Sequence, residues 1–144
     1  MKKTILIGKI GSGKTTLIQR VERRAIAEEK TQMVVYNDFF IDTPGEYVEI
    51  RSLYRVLIVT ASDADVIAFA QSCIDDEIRF APGLASVFPK EVIGIVTKID
   101  AAADDSDIIR AREILELAGA GRIFEVSALM DMGVNELVNY LNER

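Results

Sequence analysis

Lys3-Thr4-Ile5-Leu6-Ile7-Gly8-Lys9-Ile10-Gly11-Ser12-Gly13-Lys14-Thr15-Thr16 is the stretch that decides the fold. Residues 3–8 form a short apolar run that reads as a buried strand ending at a glycine. A segment of helical period follows over 14–29, with Leu17, Ile18, Val21 and Ala25 on one face and Gln19, Arg20, Arg23 and Arg24 off it. Between the two, Gly8, Lys9, Ile10, Gly11, Ser12, Gly13, Lys14 and Thr15 satisfy G-x-x-x-x-G-K-[ST] in the strand–loop–helix setting the motif requires. Its glycines let the backbone wrap closely, so amides of the loop and of the first helical turn, which includes Thr16, converge on a phosphate at the positive helix end. Lys14 would reach the β- and γ-phosphate oxygens, and the Thr15 hydroxyl would ligate Mg²⁺.

Working outward, short apolar runs alternate with helical segments. Met33 to Tyr36 and Phe39 to Asp42 flank Asn37-Asp38 as a hairpin. Leu53, Val56, Leu57 and Ala61 have helical spacing, and 65–70 and 91–97 read as strands buried on both faces. A capped helix is expected over 106–118, a strand over 122–126, and a last amphipathic helix around Val134, Leu137, Val138 and Leu141. The order β-α-β-β-α-β-(α)-β-α-β-α implies an α/β fold: a mostly parallel six-stranded sheet with one antiparallel strand and helices on both faces. Residues 71–90 are the least regular part. The length of 144 residues suits one domain over 1–144.

Composition narrows the chemistry. The chain has no histidine and one cysteine, Cys73, which excludes Ser–His–Asp or Cys–His catalysis, an imidazole proton shuttle, His-ligated zinc and an intramolecular disulfide. Seventeen Lys+Arg against 23 Asp+Glu leave a net charge of −6 without a basic stripe, a poor match to a nucleic-acid backbone. No signal peptide, lipidation motif or membrane-length apolar run is read, so the expected location is the cytoplasm and no membrane partner is expected.

Three further segments separate the classes that share a phosphate loop. Asp42-Thr43-Pro44-Gly45 is a D-x-x-G, in which Asp42 would hold Mg²⁺ and the Gly45 amide would meet the γ-phosphate. In Thr97-Lys98-Ile99-Asp100, the Asp100 carboxylate can accept from N1–H and N2–H₂ of guanine together, and the Lys98 stem would cover the base. Ser127-Ala128-Leu129 offers a backbone amide to the guanine 6-oxo group.

Together the four segments resemble the motif series of Ras-like P-loop GTPases, and the resemblance covers the whole chain. With so compact a frame, Lys30-Thr31-Gln32 ahead of Asp42, and D-T-P-G extended by Glu46-Tyr47, the chain looks like the EutP/PduV family of small GTPases of ethanolamine and propanediol utilisation. That resemblance implies GTP and GDP as ligands, Mg²⁺ as cofactor, association with a bacterial microcompartment, and Thr31 as the switch threonine that closes on Mg²⁺ and the γ-phosphate.

Four departures bear on mechanism. Ile10 is bulky where Ras-type loops carry glycine, so it could obstruct an arginine supplied from outside. Gly11 removes the case for potassium. Thr97 stands in place of the usual asparagine, with loss of an amide tether to the loop expected. Glu46 occupies the position of the water-orienting glutamine; a carboxylate accepts a hydrogen bond from water but cannot also donate one. Slow hydrolysis is therefore expected, and Lys30 is the candidate cation beside Thr31. A protein partner is expected on 46–55, with Tyr47, Arg51, Tyr54 and Arg55, whereas the acidic 75–77 stretch reads as solvated surface. Two rival readings stay open: a P-loop small-molecule kinase, for which neither lid nor arginine cluster is visible, and a GTP-binding interaction module with negligible hydrolysis.

Overall fold

In the computed structural model, which describes residues 1–22, 35–36 and 39–143, the opening run becomes strand β1 (Thr4–Ile7) and helix α1 (Lys14–Val21). Strands β2 (Val35–Tyr36) and β3 (Phe40–Asp42) follow, then the short helix α2 (Glu46–Glu49), a 3₁₀ turn (Arg51–Leu53) and α3 (Tyr54–Ala61). The remainder is β4 (Val66–Ser72), β5 (Glu91–Thr97), α4 (Asp105–Ala118), β6 (Arg122–Glu125) and α5 (Val134–Asn142).

The six strands lie in the order β2-β3-β1-β4-β5-β6, all parallel except the β2–β3 pair, in which Val35 opposes Asp42. Alternation along each strand explains the two layers of helix. Ile5, Ile7, Ile67 and Phe69 point to one face, where they meet Leu57 and Ala61 of α3 and Ala111, Leu115 and Ala118 of α4. Leu6, Val66, Ala68, Ile93 and Ile95 point to the other, where Leu17 and Ile18 of α1 and Leu137 and Leu141 of α5 cover them. Both sheet faces are thus dry, which is why the parallel strands read as continuous apolar runs.

Among the described residues helix α1 runs over Lys14–Val21; residues 23–29 of the expected 14–29 helix, and the Asn37-Asp38 turn, lie outside them. One expectation is corrected. The crossover from β4 to β5 contains no α-helix, only a 3₁₀ turn at Leu84–Val87. Three aromatic residues hold that crossover instead: Phe80 stacks on Phe69 at 4.7 Å between ring centroids, and Phe88 meets Phe69 edge-on at 5.9 Å. At α4 the acidic run acts as expected: Asp104 accepts from the Ser106 amide at 2.9 Å, and Gly119 closes the helix with a left-handed φ of 101°.

Candidate functional site

The phosphate loop leaves β1 where its neighbours, β3 and β4, depart to opposite sides of the sheet. Such a switch point opens a crevice at the carboxyl ends of parallel strands. Gly13, with φ 96°, passes the chain into α1 through a conformation that a side chain disfavours. Lys14 is buried, and its Nζ donates to the carbonyls of Gly8 at 2.5 Å and Lys9 at 3.1 Å, so the ammonium is held across the loop. The Thr15 hydroxyl donates to Asp42 Oδ2 at 2.5 Å, joining the start of α1 to the end of β3. A hydroxyl and a carboxylate are hard oxygen donors, the class that suits Mg²⁺ completed by phosphate and water.

After Asp42 the chain turns back along the loop. The Thr43 hydroxyl donates to the Leu6 carbonyl at 2.8 Å, and Gly45 rests directly on the loop backbone. A Cβ at Gly45 would fall 2.0 Å from Ile10 N and 2.7 Å from the Lys9 carbonyl carbon, so only glycine fits. No gap for a phosphoryl group remains between Gly45 and Ile10 in this conformation; a third phosphate there requires the D-T-P-G turn to move outward. Glu46 begins α2 and is half-buried, as are Lys9 and Ile10. Thr31 and Lys30 lie outside the described residues.

The base side is more heavily cross-linked. Thr97 is corrected: its hydroxyl donates to the Ser12 carbonyl, so the loop keeps a tether of different chemistry from the amide whose loss was expected. Lys98 adopts φ 59°, which turns its side chain back so that Nζ donates to Gly11 O at 2.5 Å. Asp100 Oδ1 accepts from the Ser127 hydroxyl at 2.6 Å, and that same Oγ accepts from the Met130 amide at 3.1 Å. Ser127 is fully buried, whereas Asp100 is exposed and thus free to meet a ligand. Gly13, Thr16, Thr97, Lys98, Asp100, Ala128 and Leu129 all line one pocket of about 270 Å³. Of the described residues expected at the base, Thr97, Lys98, Asp100, Ala128 and Leu129 line it, whereas Ser127 lies buried behind Asp100.

Sequence reasoning missed one participant. Arg20, assigned only to the polar side of α1, sends Nε to Ala128 O at 2.6 Å and Nη2 to Leu129 O at 3.1 Å. A contact across more than a hundred residues leaves no local pattern. The 75–77 stretch is likewise not simply solvated: Arg79 Nε meets Asp75 at 2.8 Å, Arg79 Nη1 meets Glu77 at 3.2 Å, and Lys9 approaches Asp75 at 4.0 Å. Burial alone would raise the Asp75 carboxyl. The Arg79 hydrogen bond, the Glu77 amide and the nearby cations outweigh it and hold the group below its ordinary value. Cys73 is buried, with its thiol on the Lys98 carbonyl at 3.1 Å, and burial followed by the Asp107 charge raises its pKa. In the 46–55 segment Tyr47 and Tyr54 pack partly on the core, leaving Arg51 and Arg55 as the exposed cations.

With this geometry in place, comparison with known proteins is informative. Residues 1–143 match PduV-EutP, a family described as ethanolamine utilisation - propanediol utilisation. The chain belongs to this family. It is 40% identical to the propanediol utilization protein PduV of Citrobacter freundii, over all of this chain and 95% of that protein. It is 35% identical to the probable acetate kinase EutP of Salmonella typhimurium strain LT2, over 98% of this chain and 89% of the relative. Among solved structures, Aquifex aeolicus Era bound to GDP and AlF4⁻ superposes with a TM-score of 0.70 at 23% identity, over 97% of this PduV-EutP chain and 55% of Era. A second Era structure, with MgGDPNP and a segment of 16S ribosomal RNA, gives 0.69. The fold is thus the Ras-like P-loop GTPase fold of Era, and this chain spans about half of the Era length. Among the described residues, no helix is long and apolar enough to cross a membrane.

Proposed function

We propose that residues 1–144 form one guanine-nucleotide-binding domain that takes Mg²⁺·GTP, hydrolyses it slowly to GDP, and serves ethanolamine or propanediol utilisation at a bacterial microcompartment in the cytoplasm. The observation that carries the guanine assignment is Asp100, an exposed carboxylate oriented by the buried Ser127 hydroxyl at the rim of a pocket continuous with the phosphate loop. Held this way, it pairs with the two adjacent donors of guanine, whereas adenine presents an acceptor at N1 and no amine at C2. Family membership supports the pathway.

In this reading the loop amides and Lys14 bind and orient the phosphates, Lys14 exchanging its carbonyl partners for phosphate oxygens. Thr15 and Asp42, with Thr31 joining in the triphosphate state, would hold Mg²⁺, which supplies charge neutralisation at the β- and γ-phosphates. Gly45, displaced from Ile10, would turn its amide to the γ-phosphate, and Glu46 would accept a hydrogen bond from the attacking water. Loss of the γ-phosphate lets Gly45 return to the Ile10 contact. The exposed Arg51 and Arg55 are the side chains through which a protein partner would engage 46–55. Neither a nucleic acid nor a membrane belongs to this reading, given the net charge of −6.

A second reading is phosphoryl transfer to a small carboxylate. It is favoured by the name of the EutP relatives and by a pocket of about 260 Å³ beside the loop, into which Lys9, Lys98, Ser12 and Asp75 project. Single-turnover reaction of γ-labelled GTP with and without acetate, quenched at neutral pH and with the labelled products separated by chromatography, distinguishes the two. Inorganic phosphate at the same rate in both arms supports hydrolysis; label recovered as acyl phosphate overturns it in favour of the kinase. No turnover in either arm leaves a GTP-binding module.

A further inference from the structure

The loop that would present its amide to the base is poorly anchored by packing. Leu129, Met130 and Met132 are 61%, 64% and 47% exposed, so the loop lays no large apolar side chain of its own on the core. Its closure comes from reciprocal backbone hydrogen bonds between Ser127 and Met132, both 2.9 Å, and from the Ser127 hydroxyl on Asp100. With the Met130 amide on the same Oγ, these close the turn at its two ends. The Ala128 and Leu129 carbonyls between them are held by Arg20, whose guanidinium donates to both from the last turn of α1. Because each peptide unit is planar, holding both carbonyls fixes the planes that follow Ala128 and Leu129. A planar, multiply donating guanidinium suits two neighbouring acceptors in a way a single ammonium does not.

We propose that Arg20 is a positioning residue for base recognition: it holds 127–130 so that a backbone amide meets the guanine 6-oxo group, and thereby sets discrimination against purines that lack that acceptor. The proposal rests on the guanine reading above. Its distinguishing signature is selectivity. A 2-aminopurine nucleotide keeps the 2-amino group for Asp100 and lacks both the 6-oxo group and N1–H, so its weaker binding does not depend on the contact Arg20 supports.

The test is equilibrium binding of GDP, 2-aminopurine riboside diphosphate and inorganic tripolyphosphate to the full chain and to Arg20→Ala and Arg20→Lys. The parent should prefer GDP over the 2-aminopurine nucleotide. Arg20→Ala should weaken GDP about tenfold, the worth of one well-placed hydrogen bond, with the other two ligands unchanged. Arg20→Lys keeps the charge favoured at the helix C-terminus but loses the paired donors, so it should show the same selective loss at smaller size. It carries the test if the alanine variant does not fold. Equal weakening of all three ligands, or an undiminished GDP preference in the variants, overturns the proposal. A parent that binds GDP no better than ADP would instead refute the guanine reading itself.

Discussion

The half of the cradle proposed to take the base is held by directional side-chain hydrogen bonds: Thr97 to Ser12, Lys98 to Gly11, Ser127 to Asp100 and Arg20 to Ala128 and Leu129. On the half proposed to take the γ-phosphate, the D-T-P-G turn is pinned by Thr15 on Asp42 and Thr43 on Leu6, but beyond it Gly45 meets Ile10 and Lys9 by close contact alone. A cross-linked surface keeps one geometry and suits recognition, because its donors and acceptors need no reorganisation when the ligand arrives. A surface closed by van der Waals contact can be parted by a ligand group, which suits a step that must sense a phosphate.

Breaking the rigid half should cost most. Asp100→Asn replaces one acceptor of a paired, charge-assisted contact with a donor. GTP affinity should fall by about 10²–10³-fold, while xanthosine nucleotides, whose ring matches the amide, should bind better than to the parent. Competition titration against a fluorescent guanine nucleotide reads both shifts, and unaltered GTP binding would remove the rigid half from the account.

The half closed by contact should respond in rate. Glu46→Gln restores a group that both donates and accepts, so single-turnover hydrolysis should rise about tenfold, equivalent to one added hydrogen bond of about 1.4 kcal/mol in the transition state. GDP affinity should stay put. Thr97→Val removes the tether between the halves at nearly constant shape and leaves the Ser12 carbonyl without that partner. A stability loss of about 1–2 kcal/mol is expected in urea unfolding, with a several-fold weaker GDP complex.

The smallest expected effect concerns the knot beside the loop. The folded-state pKa of Asp75 is depressed, so its ion pairs contribute above the ordinary carboxylate value of 3.8 and fade as pH falls through the lower folded value. Asp75→Asn should therefore be less stable than the parent by a constant amount from about pH 5 to 7, and the gap should close below about pH 4. A gap that widened on acidification would contradict the depressed value.

Local pattern carried much of this. Residues 3–16 specified strand, loop and helix because the motif is contiguous and each glycine has a backbone reason, and the apolar runs at 65–70 and 91–97 announced strands covered on both faces. Asp42, Asp100 and Ser127 were visible because each follows a strand whose end the fold directs into one crevice. What was not legible depends on contacts distant in sequence or on packing without period. Arg20 looks like any helix-surface arginine until α5's preceding loop is laid beside α1. The Phe69, Phe80 and Phe88 cluster replaces a crossover helix with aromatic stacking, which leaves no 3.6-residue signal. Thr97 stands where the motif carries asparagine, and motif comparison alone does not show that its hydroxyl reaches the Ser12 carbonyl.

The central claim, that this cradle is built for guanine, is tested most directly by equilibrium competition of GTP and ATP for the parent chain in the presence of Mg²⁺. The paired contact at Asp100 predicts at least about a hundredfold preference for GTP. Equal affinity for the two nucleotides would contradict the account.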